Sequence, residues 1–358
     1  MSTQKPAIVL LLLSIVIVFQ QCAKTDSGTV ATTPAATVTQ PNLPATAYNY
    51  NMVYPAHIQN ALVTNDNTPP DNPITNDGAT LGRVLFYDTH LSKNNTISCG
   101  SCHKPETSFS DAAQLSRGFN NGLTARHSMA LLNARFYKSG KMFWDERAAT
   151  LEKQILQPIQ NSVEMGLTLT ELETNVKALN YYPALFQKAF GSTLIDSVRI
   201  ARAVSQFIRS IITYQSKYDR VKQGLAIFTT DEAAGEQLFI AAAPGGGPSC
   251  AGCHAPPMFI TSAPVAPFGL ADPNDHGINN QNRFKSGSLR NVALTAPYFH
   301  NGSIGSLAAM LQGGPPGSPT NIPAHSVAPA DVAKFMAFLQ TLTDVTVSTE
   351  PRFLNPFK

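Results

Sequence analysis

Two short phrases carry the side chains best suited to chemistry: Cys99-Gly100-Ser101-Cys102-His103 and Cys250-Ala251-Gly252-Cys253-His254. A serine precedes each, and a proline follows two residues after each histidine. Two thiols at this spacing with an adjacent histidine form the attachment signal for c-type haem. The thiols form thioethers with the haem vinyl groups, and the imidazole reaches the iron as proximal ligand. The chain has 5 cysteines, and these phrases hold all but Cys22. Zinc would need a fourth ligand at each site, and neither phrase has a second C-x-x-C or an H-x-x-x-H nearby. A thioredoxin-like pair would need a βαβ setting, which the surrounding sequence lacks. Disulfides are the remaining alternative, but a histidine after both pairs favours two haems.

Haem attachment leaves the activity open. An electron carrier fills both axial positions of the iron, whereas an enzyme that handles peroxide keeps one position open beside an acid/base group.

The elements that must hold these phrases read as helices joined by long loops. Residues 197–213 place Ile200, Val204, Phe207, Ile208 and Ile211 on one face at helical spacing. Asp231 and Asp331 stand as N-caps of two further helices. Glycine and proline crowd 244–248, 256–273 and 313–323, which read as loops. The duplication also reaches beyond the cysteines: Gly82 with Leu85-Phe86 precedes Cys99 as Gly235 with Leu238-Phe239 precedes Cys250. The expected fold is mainly α, two cytochrome c-like haem domains related by an internal repeat, spanning 56–218 and 219–358.

The ends and the charge add context. A net charge of +3 over 358 residues, with no basic run, argues against nucleic acid or a polybasic membrane contact. Lys5 precedes an apolar run from Ala7 to Phe19, short for a membrane span but suited to a signal peptide. Cys22 then falls where a lipoprotein signal is cut and its cysteine acylated, although Phe19-Gln20-Gln21 is bulkier than the usual small residues. Residues 1–22 are thus expected to be a signal and 23–55 a flexible Ala/Thr/Pro-rich tether. The protein would be periplasmic and held to a membrane by lipid. The alternative is a plain secretory signal with an incidental cysteine.

The segments LGRVLFYDTHLSKNNTISCGSCH, FWDERAATLEKQ, VEMG and SLRNVALTAPYFHNG together resemble the bacterial dihaem cytochrome c peroxidase family, which includes the MauG-type enzymes. The resemblance covers about residues 78–345. It implies that His103 serves the peroxide-reacting haem and His254 the haem that receives electrons. Trp144, the only tryptophan, matches the residue between the haems. Gln154 and Glu164 match distal-pocket groups: the amide orients peroxide, and the carboxylate moves a proton from its inner to its outer oxygen.

Three departures stand out. Phe119 occupies the place of a histidine that blocks the reactive haem in many members, so that haem is expected to be open without reductive activation. His127, after Arg126, replaces an asparagine that commonly supports calcium. Thr295 and Pro297 match the other calcium positions, so calcium remains a candidate with one oxygen ligand lost. Gly314 falls where the second haem's sixth ligand belongs; Met310, one turn earlier, is the candidate, with a core methionine as the equal alternative. Met258, His276 and His325 are outsiders for that role. His300 is expected to pack near the haem without ligating it, and His57 and His90 to be surface residues.

The resulting expectation is a peroxidase: H2O2 + 2 e− + 2 H+ → 2 H2O. A small cytochrome c or cupredoxin would supply the electrons, and a homodimer is a candidate assembly. A MauG-like oxidase of a protein or organic substrate is the alternative. A dihaem carrier without catalysis is the third, disfavoured by Glu164, Gln154 and Phe119.

Overall fold

The computed structural model of the chain describes Met1 and residues 39–241, 249–260, 274–313 and 326–358. Cys22, Gly314, His325 and most of the predicted signal and tether lie outside the described residues. Contacts separate Met1–Thr39 from a folded unit, Gln40–Lys358. Among the described residues the regular structure is helical, and extended pairing is limited to isolated bridges.

The helices run α1 (Ala56–Asn65), α2 (Asn76–Tyr87), α3 (Cys99–Cys102), α4 (Leu151–Gln160), α5 (Leu169–Lys177) and α6 (Tyr182–Phe190). They continue as α7 (Ser197–Ser210), α8 (Lys217–Lys222), α9 (Thr230–Ile240), α10 (Cys250–Cys253), α11 (Leu307–Leu311) and α12 (Val332–Gln340). Their starts follow capping chemistry. Thr75 caps α2 and Asp196 caps α7 through their side-chain oxygens. In α9 the cap is Thr229, boxed with Glu232, so Asp231 lies inside the first turn instead. Asp331 begins α12 without capping it, because its carboxylate pairs with Lys334 at 2.9 Å. The apolar face of α7 buries Ile200, Val204, Phe207 and Ile208, while Ile211 is buried just past the helix end.

The duplicated glycines explain the duplicated helices. A Cβ on Gly82 of α2 would lie 2.0 Å from the Ala203 carbonyl of α7. A Cβ on Gly235 of α9 would lie 2.1 Å from the Lys334 carbonyl of α12. Each glycine therefore lets two helices cross at backbone distance, and each crossing anchors the turn that holds a cysteine pair. Two hydrophobic clusters result. The first gathers Leu85, Phe86, Phe109, Leu151, Val204 and Phe207; the second gathers Tyr218, Phe239, Phe259, Leu311 and Phe338. The C-terminus returns to the first cluster, where Val347 and Phe353 are buried. Its backbone carbonyls accept hydrogen bonds there from Tyr50 Oη (Arg352, 2.9 Å), Tyr87 Oη (Phe353, 2.7 Å) and Arg83 Nη1 (Pro351, 2.5 Å).

A buried ion pair ties α1 and α8 to the loop after α10. Arg290 reaches both Asp219 oxygens, at 2.8 and 2.7 Å, and neither side chain is exposed. His57 adds a bond at 2.8 Å to the same carboxylate, and Arg290 Nε donates to the Pro257 carbonyl at 2.9 Å.

Candidate haem sites and the contact between the repeats

The single turn of α3 carries Cys99 and Cys102 as free thiols. The Ser98 amide donates to Ser101 Oγ at 2.9 Å, and the His103 amide closes the turn on the Cys99 carbonyl at 3.0 Å. His103 Nδ1 lies 3.0 Å from the Phe109 carbonyl. A carbonyl can only accept, so Nδ1 carries the proton and Nε2 keeps its lone pair for a metal. Burial lowers the pKa of this imidazole to about 4, which keeps it neutral. Burial also pushes Cys99 up to about 12 and raises Cys102, and the charge of Glu164 adds to both shifts. The Glu164 carboxylate therefore lies within electrostatic reach of this cysteine pair.

The second site repeats the plan. Ser249 Oγ accepts from the Gly252 amide at 3.2 Å, and the His254 amide bonds to the Cys250 carbonyl at 2.8 Å. Cys250 and Cys253 are free, and burial raises both thiols. His254 Nδ1 lies 3.1 Å from Ser286 Oγ. A cavity beside it is walled by Tyr298, Leu307, Met310, Leu311, Phe335 and Leu339, and also reaches His127 and Trp144. Paired free thiols, an adjacent imidazole and an apolar wall fit a haem bound through C-x-x-C-H.

Glu164 follows α4 in a tight turn, where Asn161 Oδ1 accepts from the amides of Val163 (2.8 Å) and Glu164 (3.2 Å). It is half-buried and lines a second opening with Phe143, Arg147, Gln157 and Asn161. Burial raises its pKa, and the Arg147 cation partly offsets that rise. The Arg147 guanidinium lies over the Phe143 ring, 3.6 Å from its centroid, and its Nε donates to Gln157 Oε1 at 3.3 Å. Gln154 is half-buried one turn earlier on α4 and does not line this opening. Phe119 covers the turn from the other side: its amide donates to the Glu164 carbonyl at 2.9 Å. A Cβ on Gly166 would lie 2.5 Å from its ring.

A family profile described as di-haem cytochrome c peroxidase matches residues 76–226. The cytochrome c551 peroxidase of Nitrosomonas europaea is 32% identical over 284 residues, 76% of this chain and 81% of that protein. The chain belongs to the dihaem cytochrome c peroxidase/MauG family. Its similarity to the methylamine utilization protein MauG of Methylophilus methylotrophus is 29% identity over 263 residues, 68% of this chain and 74% of that one. The crystal structure of a MauG-like protein associated with microbial copper homeostasis superposes with a TM-score of 0.74 at 29% identity. It covers 87% of this chain and all of that one. The protein is thus a haem peroxidase-type oxidoreductase built from two cytochrome c-like units.

In this family member the two repeats meet crosswise around Trp144. The indole Nε1 donates to the His127 carbonyl at 2.8 Å, and the Trp144 carbonyl accepts from the Lys285 amide at 2.8 Å. Reciprocally, the His127 amide donates to the His300 carbonyl at 2.7 Å. His300 is buried and stacks on Phe284 with 3.7 Å between centroids. Lys285 was not singled out by the sequence, yet it is buried here. Its Nζ donates to the Lys141 carbonyl and sits 3.7 Å from the Tyr137 centroid and 3.8 Å from Glu146. Burial lowers its pKa to about 8. The sequence offers no signal for this burial, since Lys285 stands beside Phe284 in a stretch rich in Asn, Arg and Ser that reads as a solvated loop.

Met310 lines the second cavity, as do Thr295 and Pro297. Met258 is buried in the first hydrophobic cluster, and His276 bonds to Asn282 at 3.0 Å. Calcium finds a poor donor set beside His127, whose Nδ1 lies 3.2 Å from the Gln114 carbonyl. Three nearby carboxylates are already taken: Asp275 at 2.6 and 2.7 Å and Asp145 at 2.7 Å hold the Arg126 guanidinium, and Asp111 pairs with Lys104 at 2.8 Å. Among the described residues no group of three or more His, Cys, Asp or Glu gathers to hold a metal ion. His57 and His90 are not free surface residues. His57 binds buried Asp219, and His90 binds Asp88 at 2.6 Å.

Proposed function

We propose that the chain reduces hydrogen peroxide to water at the His103 site, with electrons received at the His254 site from an external redox protein. The observation that carries this reading is Glu164, a half-buried carboxyl with a raised pKa, within electrostatic reach of the first cysteine pair and lining an opening. Haem, bound covalently to Cys99/Cys102 and to Cys250/Cys253, supplies the redox chemistry. Glu164 accepts a proton from one peroxide oxygen and returns it to the other, so that water can leave. Gln154 lies outside this opening and would have to orient the substrate from the preceding turn of α4, while the Arg147 cation holds Glu164 closer to its ordinary carboxylate range than burial alone would. Phe119 has no ligating atom, which favours an open first site. Trp144, fixed at its indole and its carbonyl, lies on the path between the sites. Met310, which lines the cavity beside His254, would be the further residue that holds the second haem.

The domain boundary near 218 is part of this reading, supported by the change of hydrophobic cluster between Ile212 and Tyr218, after which only Met258, Ile260, Val347 and Phe353 among the buried residues rejoin the first cluster. Export and anchoring through Cys22 complete it. Among the described residues no helix is long and apolar enough to cross a membrane.

The test is stopped-flow mixing of the fully reduced protein with stoichiometric peroxide while both haem bands are followed. Loss of two electrons per peroxide, slowed about 10²–10⁴-fold in Glu164→Gln, is expected. Reduced haems that survive peroxide unchanged would make the protein a carrier. Oxidation that proceeds only when a protein or organic substrate is present would favour the MauG-like alternative.

A further inference from the structure

The duplication sets corresponding residues after the two cysteine phrases, and each proximal histidine bonds a different member of that set. Phe109 and Phe259 sit at corresponding places, both with left-handed backbone at φ 58° and 52°. Their carbonyls accept from the amides of Leu131 (3.2 Å) and Leu289 (3.1 Å). Counting from those leucines, Ser128 and Ser286 also correspond. Asn133 and Asn291 follow in the same register, each at φ 60° and each opening a 3-10 turn.

In the first repeat His103 donates to the Phe109 carbonyl, 3.0 Å away, and the Met129 backbone also faces the ring. Ser128 is committed elsewhere. Ser116 Oγ donates its one proton to Asp111 Oδ2 at 2.6 Å, so the 2.8 Å contact between the serines uses the Ser128 proton. In the second repeat Ser286 Oγ donates to the Cys253 carbonyl at 3.1 Å, which turns a lone pair toward His254 Nδ1, also at 3.1 Å.

We propose that Ser286 is a positioning residue that tunes the haem held by His254, a proposal that rests on the haem assignment above. An acceptor on Nδ1–H makes the imidazole a more basic ligand, and the ligand's electron density sets the potential of the iron. An amide carbonyl is a stronger acceptor than a hydroxyl whose own proton is already committed. His103 is therefore the more electron-rich ligand. His254 favours the reduced state more, as suits a haem that collects electrons before passing them on.

The experiment is spectroelectrochemical titration of the intact holoprotein and three variants, following each haem band. Mass spectrometry of the wild type first counts the covalent haems. Ser286→Ala should shift the midpoint of the His254 haem positive, and Ser286→Asp should shift it negative. Ser286→Thr, which keeps the hydroxyl, should restore the wild-type value, and the His103 haem should stay fixed throughout. Two attached haems with unmoved midpoints, or with equal shifts at both, would overturn this role for Ser286 alone. A wild-type chain without haem at Cys250/Cys253 would overturn the assignment beneath it.

Discussion

Replacing Asp219 with alanine should be among the most damaging single changes in the second repeat. Its carboxylate receives two bonds from Arg290 at 2.7 and 2.8 Å, one from His57 at 2.8 Å and one from Ser216 Oγ at 2.7 Å. The substitution leaves Arg290, which is fully buried, with only its bond to the Pro257 carbonyl. Breaking a buried pair on one side costs about 3–5 kcal/mol, because the surviving charge stays desolvated. At about 2–4 °C per kcal/mol, the melting temperature should fall by roughly 6–20 °C. The double variant Asp219→Leu/Arg290→Met removes both charges and should recover most of that loss. Burial alone would raise the Asp219 pKa, but the bonds from Arg290 outweigh it and hold the carboxyl below its usual range. Stability from the pair is thus complete above the unfolded carboxyl pKa of about 3.9 and is lost as pH falls through the lower folded value. The wild type should lose its advantage over the double variant only in acid. Thermal and urea unfolding at neutral and acidic pH, read by far-ultraviolet circular dichroism, measure all of this. A loss under about 1 kcal/mol for Asp219→Ala would refute the reasoning, since that is the cost of an exposed pair.

Arg147→Gln should move the acid limb of the peroxide rate profile upward. The Arg147 cation favours ionised Glu164, so without it the base form is lost at higher pH; an unmoved limb in steady-state rates would separate the two residues. Gly82→Ala should destabilise the first core and Gly235→Ala the second, each by about 1–3 kcal/mol, because the added Cβ meets backbone carbonyls that cannot turn aside. Denaturant midpoints of the two variants measure this. The oxidised protein should bind cyanide without prior reduction because Phe119 cannot ligate, whereas Phe119→His should require reduction first; difference spectra would show it.

The legible part of the protein was the part written in chemistry or in repetition. The C-x-x-C-H phrases, the glycines ahead of them and the apolar face of α7 each leave a local pattern, and each sits where that pattern places it. Helix starts were less legible. Asp231 and Thr229 are both good capping residues, and only the box with Glu232 selects Thr229. The surroundings of Glu164 were partly legible: its charge reaches the first cysteine pair, but Arg147 and Gln157 share its opening through stacking and turn geometry that no spacing rule encodes. Lys285 and His57 were illegible for a stronger reason. Their partners lie 144 and 162 residues away, so nothing beside them in sequence announces a buried cation or a bound imidazole.

The return of residues 347–353 onto the first core bears on the order in which the protein is made. The N-terminal repeat leaves the ribosome first, yet Tyr50, Arg83 and Tyr87 await carbonyls supplied by Pro351, Arg352 and Phe353. That core closes only after residues 351–353 have been synthesised. The first core is therefore closed by residues 347–353, which act as a clasp that couples completion of one repeat to synthesis of the other. Truncation just before Val347 would strip the first core, not the second, even though the second lies nearer the cut in sequence.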